Sequence, residues 1–192
     1  MKIIECSSDI PSPTFEHTKT VYVPVGLPGC GKTTFGDRLS EVCDGWLLSM
    51  GADDVREALY PGYSAGLVPF EDMDIVTVFD VAYDWAKDIL ASGHSLWWDA
   101  VNTNKVHRLM VLDNCRPHCE RIVAIDFYVP FETILQRNRE VRCGHRRPPR
   151  KTLEMMRSQR HRAPVSLAEG FDDVWHFKWR GDHWRWHSCE AN

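Results

Sequence analysis

Eight consecutive residues, GLPGCGKT from Gly26 to Thr33, carry the most specific chemistry in the chain. They match the pattern GxxxxGK[ST], with a β-prone run before them and a helical stretch after, which is the context that pattern requires. Gly26, Gly29 and Gly31 let the backbone curl so that successive amides point at a β-phosphate, helped by the positive end of the following helix. Pro28, Cys30 and Thr34 complete the loop. Lys32 is placed to bridge β- and γ-phosphates, and the Thr33 hydroxyl to ligate Mg²⁺. The implied ligand is a nucleoside triphosphate, ATP with Mg²⁺. At average glycine usage a chance match of this length occurs in about one chain in a few hundred.

Two further carboxylate positions supply what a phosphate loop lacks. In SMGADDVREALY, Asp53 and Arg56 stand three apart at the start of a helix, so both project from one face. A carboxylate there can take a proton from an attacking hydroxyl. Asp99 closes the apolar run LWW, where a strand-end carboxylate can hold a Mg²⁺-bound water, as in Walker B sites. The charge is also uneven. From Arg137 to Arg162 ten Lys or Arg face two acids, giving +8 within a chain whose net charge is −4. Beside a phosphate-binding loop, such a block suits a phosphate-bearing partner.

These groups need elements to hold them. Val21 to Val25 reads as a strand entering the loop, and Lys32 to about Val42 as the helix leaving it. Strands follow at Trp46 to Met50, Ser95 to Trp98 and Arg121 to Val129. Helices are expected at Asp53 to Tyr60, Asp72 to Leu90, Lys105 to about Asn114, Pro130 to about Val141 and Lys151 to Arg162. The stripe of Ile75, Val78, Phe79, Ala82, Ala86 and Ile89 marks the third of these as amphipathic. Strands alternating with helices imply a three-layer α/β fold around a central parallel sheet. At the C-terminus Trp175, Phe177 and Trp179 alternate, and Gly181 and Asp182 precede Trp184 and Trp186, predicting a Trp-rich strand or hairpin. Residues 1–19 lack a sustained period and read as an N-terminal extension to a domain spanning 20–192.

With 192 residues and 43% hydrophobic content, the chain suits one globular core. Its longest apolar runs fall far short of the roughly 20 residues that cross a bilayer, and the N-terminus lacks a signal core, so no membrane partner and a cytoplasmic location are expected. The seven cysteines form an odd set without framework spacing, as reduced thiols do. Zinc can be argued from Cys115, His118 and Cys119, or from His183, His187 and Cys189, but neither set pairs two CxxC-like units. Zinc is not among the expected cofactors.

Taken together, GLPGCGKTT, DDVR at Asp53 to Arg56, WWDAVNTN at Trp97 to Asn104, LQRNREVR at Leu135 to Arg142, RPPRKTLEMM and EGFDDVW resemble the P-loop kinases that include the bacteriophage-type 5′-hydroxyl polynucleotide kinases and zeta-toxin-like kinases. The match covers about Tyr22 to Trp175. The resemblance implies a P-loop NTPase fold with a helical lid, Asp53 as general base with Asp54 the runner-up, and Arg56 on an acceptor phosphate. It implies an acceptor-side asparagine, Asn102 or Asn104, since DAVNTN carries one residue more than the usual pattern. It also implies a lid arginine. Val141 occupies the usual place, which leaves Arg142 first in line, with Arg139 and Arg146 as rivals. The expected reaction moves the γ-phosphate of ATP to a hydroxyl, foremost the 5′-OH of DNA or RNA. The alternatives are a nucleotide, modified base or small metabolite as acceptor, or a nucleotide-dependent regulatory module. No DxDGT signature is present, so no phosphatase module is expected.

Overall fold

The computed structural model describes residues 3–6, 18–140, 148–181 and 184–190. Seven strands form one sheet in the order β1-β7-β6-β5-β2-β4-β3. They are β1 (Ile3–Cys6), β2 (Thr20–Val25), β3 (Leu47–Gly51), β4 (Ser95–Asp99), β5 (Arg121–Tyr128), β6 (Asp173–Trp179) and β7 (Trp184–Glu190). From β3 to β6 the neighbours are parallel, while β7 and β1 add antiparallel edges. The helices are α1 (Lys32–Val42), α2 (Ala52–Leu59), α3 (Ile75–Ala91), α4 (Lys105–Cys115), α5 (Phe131–Glu140) and α6 (Arg150–Arg162). The fold is the expected three-layer α/β arrangement.

Alternation along the strands divides the core in two. Val21, Leu96, Trp98, Ile122, Ala124 and Val174 face α2, α3 and α4. Tyr22, Trp97, Val123, Ile125, Phe127 and Phe177 face α1 and α5. On the second face Phe35 of α1 wedges among Trp97, Phe127 and Phe177 at ring-centroid distances of 5.7, 5.4 and 4.9 Å. Gly36 allows that closeness, because a Cβ there would sit 2.5 Å from Trp97 Nε1. Three of the C-terminal tryptophans serve packing: Trp175 is buried, and Trp184 lies against Phe127 and Trp179.

Side-chain caps set the starts of α3 and α4. Asp74 Oδ1 accepts from the Val76 and Thr77 amides, so α3 begins at Ile75 rather than Asp72. Asn104 Oδ1 caps α4 through the Val106 amide at 3.0 Å. Ile3–Cys6 pairs with β7, so part of the N-terminal extension lies in the sheet. No helix among the described residues is long and apolar enough to cross a membrane.

One buried side chain ties the layers together. Arg108 on α4 is wholly buried, and its guanidinium makes five hydrogen bonds. Nε and Nη2 donate to the two oxygens of Glu169 at 2.7 Å each. Nη1 donates to the carbonyls of Asn102 and Thr103, and Nη2 also to that of Ala163 after α6. The segment beyond β4, the end of α6 and the turn before β6 thus share one cation. Breaking a buried pair from one side leaves a charge uncompensated, at a cost of about 3–5 kcal/mol. Glu169→Leu is expected to lose that much stability in equilibrium urea unfolding, and Arg108→Met with Glu169→Leu to lose less than the single change.

Candidate active site at the carboxyl ends of the parallel strands

The loop leaving β2 sits at the middle of the sheet, between the ends of β4 and β5. Gly29 and Gly31 adopt φ of 89° and 98°, a region that excludes most side chains. Gly26 donates its amide to Val101 O, and a Cβ on it would fall 2.6 Å from Cys30 Sγ. Lys32 is buried, with Nζ bonded to the carbonyls of Gly26 at 2.9 Å and Leu27 at 3.2 Å. Helix α5 braces the loop from behind. Asn138 Nδ2 donates to Pro28 O at 2.7 Å, and Arg137 lies over the Trp179 ring and reaches Gly29 O. Thr33 and Thr34 lie exposed on the first turn of α1.

Thr33 Oγ1 donates to Asp99 Oδ2 at 2.8 Å, joining the loop to the end of β4. Burial pushes the Asp99 carboxyl up; the Lys32 charge and the Thr33 hydrogen bond pull it down, and Asp53 and Asp54 push it up again. Those two acids are near because Gly51 of β3 pairs with Asp99. Only glycine fits there, since a Cβ would lie 2.5 Å from Asp99 O. Asp54 turns back to accept the Gly51 amide at 2.7 Å and so caps α2. Asp53 stays largely exposed, and its Oδ1 takes both Arg56 Nη1 at 2.6 Å and Tyr63 Oη at 3.0 Å. Among the described residues no donor reaches its Oδ2. Arg56 is held between the rings of Tyr63 and Phe70 at 5.7 and 5.4 Å.

Of these groups, Pro28, Lys32, Thr33, Gly51, Asp53, Asp54, Arg56 and Asp99 line one cavity of about 1060 Å³. Its lining brings together Lys32, Thr33 and Asp99 with Asp53 and Arg56, while Phe79, Tyr83 and Trp98 form an aromatic wall and α6 contributes Met155, Met156 and Gln159. The two candidate asparagines differ. Asn102 is buried at φ 51° with Nδ2 on Pro24 O at 2.8 Å, so the additional residue of DAVNTN is absorbed in a left-handed turn. Asn104 uses only its oxygen as the α4 cap and lines the cavity. Arg142 and Arg146 lie outside the described residues. Arg139 is on the last turn of α5, away from the cavity lining. Much of the basic block is engaged internally: Arg137 on Trp179, Arg150 with Glu154, Arg157 over Phe131 and Arg160 with Asp126. The contributions of Gly51, Tyr63, Arg108 and Gln159 escape sequence reading, because each acts through a neighbour distant along the chain. Gly51, immediately before an acidic helix start, is the one that left a local signal.

The family model described as AAA domain matches residues 21–163. No curated protein matches the chain. Among solved structures, a chain of the Pnkp1/Rnl/Hen1 RNA repair complex is similar at 18% identity and a TM-score of 0.61, over 84% of this chain and 49% of that one. This chain thus spans about half the length of that relative. Kti12 from Chaetomium thermophilum, in complex with ADP-AlF3, is similar at 16% identity and a TM-score of 0.62, over 84% and 90%. A putative kinase from Chloroflexus aurantiacus is similar at 21% identity and a TM-score of 0.55, over 74% and 80%. At these identities the likeness is one of fold.

Helix α6 is held over the cavity by Arg160, whose Nε and Nη2 donate to Asp126 Oδ1 at 3.0 and 2.7 Å, and by Thr103 bonded to Gln159. His176 Nδ1 reaches the other Asp126 oxygen at 3.2 Å. Burial pushes the Asp126 carboxyl up, but the His176 hydrogen bond and the Arg160 charge outweigh it and hold the group below the usual aspartate range. A depressed folded pKa gives stability that is present above the unfolded value, about 3.9, and is lost as pH falls through the folded one. The stability gap between the protein and Asp126→Asn is therefore expected above about pH 5 and to shrink below about pH 4, read by urea unfolding across that range.

Proposed function

Because the chain belongs to the AAA domain family and gathers a phosphate loop, a strand-end carboxylate and a helix-borne Asp–Arg pair around one cavity, we propose that it is an ATP- and Mg²⁺-dependent phosphotransferase acting on a hydroxyl group. The observation that carries this reading is the shared cavity: a nucleotide switch needs the loop and Asp99, but has no use for Asp53 beside them. The loop amides and the Lys32 ammonium, now on loop carbonyls, would hold the triphosphate. Thr33 and Asp99 present hard oxygen donors of the kind Mg²⁺ prefers. Bound there, Mg²⁺ supplies neutralisation of charge on the transferring phosphoryl group.

On the acceptor side, Asp53 Oδ2 takes the proton of the attacking hydroxyl as its oxygen approaches phosphorus, while Oδ1 stays on Arg56 and Tyr63. Arg56, stiffened by its two rings, orients an acceptor anion, and the amide nitrogen of Asn104, without a partner among the described residues, offers a further contact. Asn102 acts by holding the loop. Asp53→Asn keeps the shape but cannot accept the proton, so single-turnover transfer from ATP is expected to fall about 10² to 10⁴-fold with nucleotide affinity little changed. Asp54→Asn is expected to leave the chemical step nearly intact and to lower stability by about 1 kcal/mol through the weakened cap. A severe transfer defect in Asp54→Asn beside an active Asp53→Asn would reassign the base, and two fully active variants would leave the site without a carboxylate base.

The resemblance in DDVR and DAVNTN favours the 5′-OH end of DNA or RNA as acceptor, its terminal base set against the aromatic wall. A nucleotide, modified base or small metabolite is the second reading. It is favoured by the cavity's charges, where among the described residues Asp53, Asp54, Glu57 and Asp99 face Lys32 and Arg56, and by the internal pairing of Arg150 and Arg160 from the basic block. Labelled ATP offered with 5′-OH oligonucleotides, nucleosides and sugars separates the two. For a polynucleotide, affinity is expected to drop steeply with salt as counterions are released. Transfer to free nucleosides with no such slope would establish the small acceptor.

A further inference from the structure

Strand pairing assembles a group of side chains that lie far apart in the sequence. In the β6–β7 ladder His176 stands directly opposite His187. Cys189 lies two residues further along β7 and so projects from the same face. The two imidazoles stack with centroids 4.9 Å apart at 26°, and the ligand atoms of the three residues all lie within 4.8 Å of one another. On the other side of His176, Asp126 is its register partner in the β5–β6 ladder. Asp126 can only accept from His176 Nδ1, so in the neutral ring that nitrogen carries the proton and Nε2 is the one free to ligate. Asp126 is itself fixed through its second oxygen by Arg160.

From this geometry we infer that His176, His187 and Cys189 bind a borderline-soft divalent cation of the Zn²⁺ class, with Asp126 orienting the first histidine. Two imidazoles and a thiolate suit zinc and its neighbours and reject Mg²⁺ and Ca²⁺, which take oxygen. A ligating histidine whose other nitrogen donates to a carboxylate is the usual way such a ring is held. The site is therefore separate from Thr33 and Asp99, whose oxygen donors fit the opposite class. It replaces the set of His183, His187 and Cys189 suggested by spacing along the chain; His183 lies outside the described residues. The other spacing-based set is poor, because Cys115 is buried and its thiol is pushed up to about 12 by that burial. With three protein ligands the fourth position is left to water.

A cation here would join β7 to β6, and through Asp126 and Arg160 it would be linked to α6 above the cavity. The test uses Co²⁺ alone, added to the full chain with thiols reduced and chelators removed. One equivalent is expected to produce thiolate-to-cobalt absorption in the near ultraviolet together with visible d–d bands, displaced by Zn²⁺ and unmoved by excess Mg²⁺. Cys189→Ser, at an exposed position that packing does not need, is expected to abolish the thiolate band and weaken binding at least tenfold. His187→Ala is expected to weaken binding comparably, and Asp126→Asn by about 10–100-fold. Cys115→Ser with Cys119→Ser is expected to leave the spectrum unchanged. Absence of the band in the parent chain, its survival in Cys189→Ser, or its loss in the Cys115/Cys119 variant overturns the assignment. These readouts do not involve ATP, so their failure is separable from failure of the phosphotransferase reading.

Discussion

The buried guanidinium of Arg108 is the constraint from which the site's shape follows. It satisfies three backbone carbonyls and one carboxylate that come from opposite ends of the second half of the chain. A planar group with five donors in fixed directions tolerates little displacement of its acceptors. The Asn102–Thr103 segment, which carries the Gly26 contact through Val101, is thereby set at one position relative to α6. The cavity between them has a defined width because both walls are bonded to the same cation.

The other ordering element is the parallel ladder β3–β4–β2. Its register sets Gly51 level with Asp99, and the chain after β4 bonds back to the loop after β2. Three strand ends therefore deliver a glycine loop, a carboxylate and a helix start to one rim without any long side chain reaching across. Two glycines on that rim leave no room for a side chain: at Gly51 the Asp99 carbonyl fills the space, and at Gly26 the Cys30 thiol does.

The elements that hold the site were legible in the sequence almost to the residue, because each has a strong period and a chemical stop: Gly93 after α3, Pro164 after α6, the glycines after β2. Most boundaries moved by a single residue, and the largest shift, from Asp72 to Ile75, came where the Asp74 cap decided it. What could not be read is whatever depends on strand order or on partners distant in the chain. Arg108 looks like one more basic residue in KVHRLMVL, and nothing nearby announces Glu169. Ile3–Cys6 is too short to signal a strand until β7 offers it an edge. Asn102 and Asn104 look alike in DAVNTN; only the backbone shows that one turns left-handed and the other caps a helix. The juxtaposition of His176 with His187 is invisible for the same reason, since ladder register is a tertiary fact.

The two sides of the cavity are made of different material. The loop side is backbone geometry, fixed by positive-φ glycines and by carbonyls already bonded to Lys32, Asn138 and Asn102. The opposite wall is made of side chains that α3 and α6 project into open space, Phe79 and Met155 among them. Replacement of such residues leaves the glycine loop, its amides and the strand register untouched. If the chain is a phosphotransferase, its acceptor is thus free to change over evolutionary time while its nucleotide stays the same, and drift in preference would be concentrated on those two helices.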